Sequence, residues 1–486
     1  MFRRYPFLLV FFVIAALIFS AYYFHRPFSA LYDTEFALLD STRIYYAQVL
    51  EDPVIRSHSV RVKVLLDGFE QKATFFLYSS SPDSLPEVDI GDVLRVRTAI
   101  HCPAADSISK FDYGRYLRLN HEVGVAYIRA GNWQVVDHRA PHGIRQHAMV
   151  LRHRLLQRFV TLGFRGEELA VLSAITLGER SAMSSTLQQT FAAAGAAHVL
   201  AVSGLHTAII FSFVWMILTL FGRFPPRYRN QIHSFILTVL STLIMIGYAF
   251  LTGLNPPVVR AVIMITIIQV GLMLHRQPIS INSLAAAAVF SLLIDPLSLF
   301  SVSFQFSFAA VLAIILFVPP FNDVLYPSSK SVLYIGRKEI QLNNSFTRYL
   351  CNLISMSVAA QIGTMPFALY YFGQFSNYFL LTNIVIIPLA SFIIVPLSFI
   401  VLLFASTPVA PFLAGVLNIS VQAMCGYTKW VESLPLSTTS LSINFMMMLC
   451  LITAIATIYI AFQRNRFGWF IATFLSMVGF CFWYIF

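Results

Sequence analysis

Apolar residues fall in long uninterrupted runs, and these runs set the first level of organisation. Residues 7–24 (FLLVFFVIAALIFSAYYF) are apolar over about one bilayer thickness and follow Arg3 and Arg4. The run is long for a signal-peptide core and no A-x-A site follows it, so it reads as a retained anchor. Ten further runs lie near 198–221, 232–252, 257–274, 281–295, 302–318, 349–371, 377–404, 409–430, 441–462 and 467–486. The connections alternate in charge. Arg223, Arg227 and Arg229, then Arg276, then Lys330, Arg337, Lys338 and Arg348, then Arg464 and Arg466 mark four connections on one side. The intervening connections near 253–256, 296–301, 372–376 and 431–440 contain no Lys or Arg. By the positive-inside rule, eleven spans result, with Met1 cytoplasmic and residues 25–197 outside.

The pattern changes between residues 44 and 137. His58–Leu66 alternates, with Val60, Val62 and Val64 on one face and Arg61 and Lys63 on the other. Asp92–Ala99 alternates too, and Tyr45–Leu50, Ala73–Tyr78, Val123–Arg129 and Trp133–Val136 are strand-like. Five or six short strands predict a small closed β-barrel, for which an OB-like fold is the economical choice. Such domains either bind single strands through stacking and a basic groove, or serve as structural modules.

The expected fold is therefore a polytopic α-helical membrane protein of about 11 spans, with short re-entrant or interfacial helices and one small extracytoplasmic β-barrel (OB-like) domain. The divisions are an anchor (1–24), the β domain (25–140), a basic amphipathic linker helix (141–166) and a multi-span body (167–486). The linker candidate, Gly143–Phe159, carries Arg145, Arg152, Arg154 and Arg158 beside an apolar stripe of Leu151, Leu155, Leu156 and Phe159. It either lies on the bilayer or forms a phosphate-attracting collar. Glu167–Leu177 and Thr186–Ala194 are apolar but too short to span, with Gly178 and Gly195 ending them and Ser184 or Ser185 available as a cap.

Composition supports the division. The chain has 486 residues, 57% apolar and only 11% charged, which excludes an ordinary soluble enzyme. Residues 25–160 hold 17 of the 33 Lys/Arg and 15 of the 22 Asp/Glu, a soluble-domain density. The net charge of +11 thus comes mainly from the membrane body, where it is a topology signal rather than a nucleic-acid signal. The five cysteines have no metal-site spacing.

Ionisable groups inside apolar runs mark candidate chemistry. His198, Ser203 and His206 sit in AHVLAVSGLHTA, with Gly204 between the last two and Ser203 and His206 three apart on a helix face. Arg260 is either pore-facing or paired, or an interfacial anchor; Asp295 reads as a helix-end residue. Gln305, Gln361, Asn383, Asn418 and Gln422 suit helix–helix hydrogen bonds or a wet path, and Pro366, Pro388 and Pro396 kink or break their helices. Neither a metal nor another cofactor is expected: His198 and His206 have no neighbouring carboxylate, and no Walker A loop is present. Val202-Ser203-Gly204 with His206 allows an intramembrane serine hydrolase only if a base and an oxyanion hole are in reach.

The segment FAAAGAAHVLAVSGLHTAII resembles the signature of the ComEC family, through Gly195, His198, Val202, Ser203, Gly204 and His206. Leu177-Gly178-Glu179-Arg180, Val259-Arg260-Ala261, Phe304 to Ala309, Gln361 to Pro366, and Asn383 with Pro388 resemble family segments in order, as does Phe111-Asp112-Tyr113 with Tyr116-Leu117. The resemblance implies a non-enzymatic inner-membrane channel that passes single-stranded DNA into the cytoplasm during natural transformation. Its path would involve His198, Ser203, Gly204, His206, Arg260, Gln305, Gln361 and Asn383, with Arg145, Arg152, Arg154 and Arg158 attracting DNA. The bilayer, a separate extracytoplasmic DNA receptor and a cytoplasmic motor or DNA-binding protein are the implied partners. Many members continue into a metallo-β-lactamase-like domain. This sequence has no H-x-H-x-D-H run, so a separate nuclease is expected. A transporter of another solute on the same scaffold is the alternative.

Overall fold

The computed structural model describes residues 6–24, 41–55, 59–69, 71–79, 88–103, 113–139, 143–200, 202–221, 231–273, 281–325, 332–335, 338–341, 345–464 and 467–485. Most of the basic connections, including Arg223, Arg227, Arg229, Arg276, Lys330, Arg337 and Arg466, lie outside the described residues, as do Phe111 and Asp112.

The soluble domain contains β1 (Arg43–Val49), β2 (Val54–Ile55), β3 (Ser59–Leu66), β4 (Gln71–Tyr78), β5 (Asp92–Thr98), β6 (Glu122–Ile128) and β7 (Trp133–His138). The sheet order is β6-β4-β3-β1-β5-β7, with β2 beside β3; β4 and β6 are parallel and the other pairs antiparallel. After β5, His101 and Val125 exchange backbone hydrogen bonds at 2.9 and 2.8 Å, which brings the chain back onto β6. The predicted alternation is realised: Val60, Val62, Val64 and Leu66 meet Phe75, Leu77, Leu94 and Val96 in one core. Gly124 lies where a Cβ would come within 2.6 Å of the His101 carbonyl oxygen, so only glycine permits this crossing. A helix that the strand pattern did not announce, α2 (Tyr113–Leu119), buries Leu117 against Phe76 and Val125 on the outer face.

The rest is helical. The helices are α1 (Pro6–Phe24), α3 (Ile144–Thr161), α4 (Gly166–Thr176), α5 (Ser185–Ala193), α6 (Gly204–Phe221), α7 (Gln231–Leu251), α8 (Pro256–Met273), α9 (Ile281–Ile294) and α10 (Val302–Leu325). They continue as α11 (Ser345–Phe372), α12 (Phe379–Pro388), α13 (Val395–Leu403), α14 (Ala410–Glu432), α15 (Phe445–Arg464) and α16 (Phe467–Ile485). Six helical stretches are long and apolar enough to cross a membrane, counting 379–403 as one; five shorter apolar helices occupy the remaining predicted runs. This is the make-up of a polytopic membrane protein. The anchor segment α1 packs on α9, where Phe11, Ile14 and Ile18 join Ala288, Leu292 and Phe304.

Two expectations change. The run at 198–221 is not one helix: α6 begins only at Gly204, and 194–200 form turns. The run at 377–404 is continuous but carries a π-helical turn, Leu389–Ile394, between Pro388 and Pro396. Each proline removes one backbone donor, and the widened turn absorbs the misfit. The short helices α4 and α5 end as predicted, with Gly178 and Gly195 at φ of 72° and 84°, and Ser184 Oγ caps α5 by accepting from the Leu187 amide at 3.1 Å.

Candidate functional site

The loop between α5 and α6 is held from both sides. A Cβ on Gly195 would come within 2.8 Å of Ser376 Oγ and 2.9 Å of Phe379 Cα, so this glycine is required by close approach as well as by φ. Thr382 Oγ1 donates to the Ala194 carbonyl at 2.6 Å, fixing the loop to α12. His198 hydrogen-bonds the backbone of Gly195 and is exposed at its surface.

Ser203 is the N-cap of α6. Its Oγ accepts from the His206 amide at 3.4 Å, and the Ser203 amide donates to His206 Nδ1 at 3.4 Å. This is a capping box in which histidine takes the place of the usual Glu or Gln. Each side chain thus serves the backbone amide of the other residue. The contact between the two residues is that of a helix cap. His206 is buried, while Gly204 and Leu205 are exposed at the first turn.

Arg260 is buried near the start of α8. Its Nη2 donates to the Ser303 carbonyl at 2.8 Å and to Ser303 Oγ at 2.7 Å, while Nε has no partner among the described residues. It therefore ties α8 to α10 rather than snorkelling to an interface. Asp295 is engaged elsewhere: it caps the 3-10 turn Pro296–Phe300 through the Leu297 amide and lies 3.6 Å from His121 Nε2. Gln305 accepts from Tyr371 Oη at 2.8 Å and donates to the Leu299 carbonyl at 3.3 Å, linking α10 and α11. Gln361 is half-buried on α11, and Asn383 is buried on α12 with its Oδ1 unpartnered. On α11, Gly363 lets α10 approach closely, since a Cβ there would come within 2.5 Å of the Ala309 carbonyl oxygen.

The elements that carry these residues pack in a closed sequence. α6 touches α8, α8 touches α10, α10 touches α11, α11 touches α12, and α12 runs through the π turn into α13, which returns to α6. Polar atoms on this ring are buried without partners among the described residues: Arg260 Nε, Ser355 Oγ, Ser357 Oγ, Asn383 Oδ1 and Ser391 Oγ. Buried polar groups are almost always paired, so this concentration marks the ring as the unusual part of the body.

The basic helix α3 engages part of its charge within the protein. Arg152 is buried and bridges Asp52 at 2.8 Å and Glu179 at 2.7 Å; Arg145 pairs with Glu51 at 2.8 Å. Two of the four arginines are thus spent on carboxylates. Arg154 and Arg158 remain exposed, with no ion pair among the described residues. The Asp52–Arg152–Glu179 node was not visible in sequence, because its members are separated by about a hundred positions and then by 27. Gly178 continues the contact: its carbonyl accepts from Asn255 Nδ2 at 3.3 Å, in the turn before α8. Among the described residues no group of three His, Cys, Asp or Glu could hold a metal ion.

Residues 175–467, which contain this whole ring, match the Competence protein family. The chain belongs to the competence protein family. It is 25% identical to ComE operon protein 3 of Bacillus subtilis over 326 residues, covering 67% of this chain and 36% of that protein. It is 27% identical to Recombination protein 2 of Haemophilus influenzae over 235 residues (47% and 27%), and 26% identical to Competence protein ComA of Neisseria gonorrhoeae over 253 residues (51% and 32%). The chain spans about a third of the length of these curated relatives. No solved structure matches. The capping box, Arg260, Gln305, Gln361 and Asn383 all lie within the family segment of this competence protein.

Proposed function

We propose that this protein acts in DNA uptake during transformation, as an inner-membrane channel that passes single-stranded DNA into the cytoplasm. The observation that carries the reading is the closed ring α6–α8–α10–α11–α12–α13, with the Gly195–His206 segment set into it and buried polar atoms that lack partners among the described residues. Unpaired polar groups are costly in an apolar surround, and they gain partners when the ring parts to admit water or a polar solute. The π-turned helix within the ring supplies an element able to change its packing. The names of the relatives place them in competence and recombination, which supports DNA as the solute.

In this reading the protein performs no covalent chemistry. Strand degradation and the driving force come from separate proteins, and a DNA receptor delivers the substrate from outside. Met1 is cytoplasmic and residues 25–197 are extracytoplasmic. The soluble sheet is OB-like, supported by its strand order, the parallel β4–β6 pair and the His101–Val125 bridge.

The test is entry of labelled single-stranded DNA into the cytoplasm of cells with and without the gene. Loss of entry on deletion is expected; normal entry overturns the channel reading and leaves transport of another solute.

A further inference from the structure

Helix α3 has two sides, and the protein occupies only one of them. Arg145, Arg152 and His153 turn to the sheet domain, where Arg145 meets Glu51 at 2.8 Å and the other two meet Asp52 at 2.8 and 3.3 Å. Met149 and Arg152 also sit on the turn after α7, within 3.5 and 3.1 Å of where a Cβ on Gly253 would stand. Ile144, His147, Leu151, Arg154 and Arg158 fall in a separate sector of the helix, at about 100° per residue. All five are exposed, Ile144 to 73% and Leu151 to 49%. The sector that faces away from the charged domain therefore pairs bare apolar side chains with cations.

This sector overhangs the side of α7. Ile144, His147, Ala148 and Leu151 of α3, with Gly247 and Phe250 of α7, line a groove of about 510 Å³. Gly247 opens it, since a Cβ there would meet nothing within 4 Å. The His147 ring is fixed in the wall, its Nδ1 donating to the Gly143 carbonyl at 2.9 Å. From Gly247 the groove runs onto an exposed apolar stripe of α7, formed by Leu243, Leu240 and Ile236 at helical spacing. Helix α7 is one of the apolar helices of the membrane body, so the groove is continuous with a surface that meets lipid.

The charge beside the groove says which kind of molecule fills it. Arg154 and Arg158 lie three and seven residues beyond Leu151 and have no ion pair among the described residues. An acyl chain suits Ile144, Leu151 and Phe250, and a phosphate suits the two arginines. A phospholipid carries both in one molecule. A nucleic-acid strand offers phosphates to Arg154 and Arg158 but leaves Ile144 and Leu151 in water. A basic helix with apolar residues in the same sector is what an anionic lipid interface attracts.

We infer that α3 and α7 form a binding site for an anionic phospholipid of the leaflet on the sheet-domain side, with one acyl chain between Leu151 and Gly247 and the headgroup phosphate on Arg154 and Arg158. The site does not depend on which solute crosses the ring. It gives α3 a second attachment, carboxylates of the sheet domain on one side and lipid on the other.

The experiment uses the full chain in dodecyl maltoside, with equal amounts of phosphatidylglycerol and phosphatidylcholine of the same acyl chains, read by native mass spectrometry. Phosphatidylglycerol should give the more abundant adduct and should raise the thermal midpoint. Arg154→Gln and Arg158→Gln should each lower the preference for phosphatidylglycerol about fivefold. Gly247→Trp fills the groove and should weaken binding of both lipids alike. Ile144→Ser/Leu151→Ser alters only exposed side chains and tests the same chain site without added bulk. Equal adducts of the two lipids in the parent overturn the inference. Parental phosphatidylglycerol binding in both Gly247→Trp and Ile144→Ser/Leu151→Ser also overturns it. So does a preference that survives in the Arg154→Gln/Arg158→Gln double variant; if that variant instead loses binding of an oligothymidylate, the two cations serve nucleic acid.

Discussion

Ser203 and His206 hold each other through their backbone amides: each side chain accepts the amide hydrogen of the other residue, both at 3.4 Å. This reciprocal bonding starts α6 inside an apolar sequence where no Glu or Gln is available to close a capping box. Ser203→Ala removes one acceptor and should lower stability by about 1 kcal/mol, whereas Ser203→Asp keeps the cap and retains most of it. Thermal unfolding of the purified protein measures both. A nucleophilic serine would instead be lost equally in either variant and would take up a serine-reactive probe, which the hydrogen bonding does not favour.

Arg152 joins the soluble domain to the loop before α5 through Asp52 and Glu179. Arg152→Ala leaves two carboxylates near each other without their cation, in a site where Arg152 is only 6% exposed. A loss of about 3–5 kcal/mol follows from breaking a buried pair on one side. Protease nicking of the sheet domain should rise in parallel, because the node ties that domain to the loop before α5. A variant that unfolds at the parental temperature would show that the node contributes nothing.

Gly363 brings α11 against Ala309 and Ala313 of α10. Gly363→Leu forces these helices apart and should destabilise the protein by about 1–3 kcal/mol, as overpacking does. Gly247, whose Cβ would meet nothing, is the control: Gly247→Ala should be neutral or slightly stabilising on unfolding.

Among the described residues, Arg260 hydrogen-bonds Ser303 alone. Ser303→Ala removes the hydroxyl and keeps the carbonyl, so its effect on DNA entry should be small. Arg260→Ala should reduce entry far more than it reduces protein level in the membrane. Equal losses in both measurements would make Arg260 a packing residue only.

Lys63 gives a pH prediction. Burial pulls its ammonium down, but Glu51 and Glu122 outweigh that and leave its pKa raised above 10.5. A raised folded value means that the contribution to stability is complete below the unfolded value and is lost as pH rises through the folded one. Alkaline unfolding above about pH 10.5 should therefore begin later in the parent than in Lys63→Gln, with the two curves converging at the highest pH. Parallel curves across that range would contradict the pairing.

Much of the architecture was legible because apolar periodicity is a local property. The strand alternation of Val60, Val62 and Val64, the cap at Ser184 and the stops at Gly178 and Gly195 each depend on near neighbours in the chain. The helix start at Gly204 was hidden, since an apolar run does not say where its own backbone begins to coil. The pairing of Arg152 was hidden too: a basic helix looks alike whether its cations meet carboxylates, lipid or phosphate.

The sequence by itself determined the division into a charged sheet domain and an apolar helical body, and the motif that places the chain in its family. Only the tertiary structure decided that α6, α8, α10, α11, α12 and α13 close on one another, that Arg152 is spent on Asp52 and Glu179, and that Leu151 lies across a groove from Gly247. Hydrophobicity and backbone propensity act over a few residues, so they are written along the chain. Ion pairing and side-chain packing act across space between residues far apart in sequence, and folding alone brings those partners together.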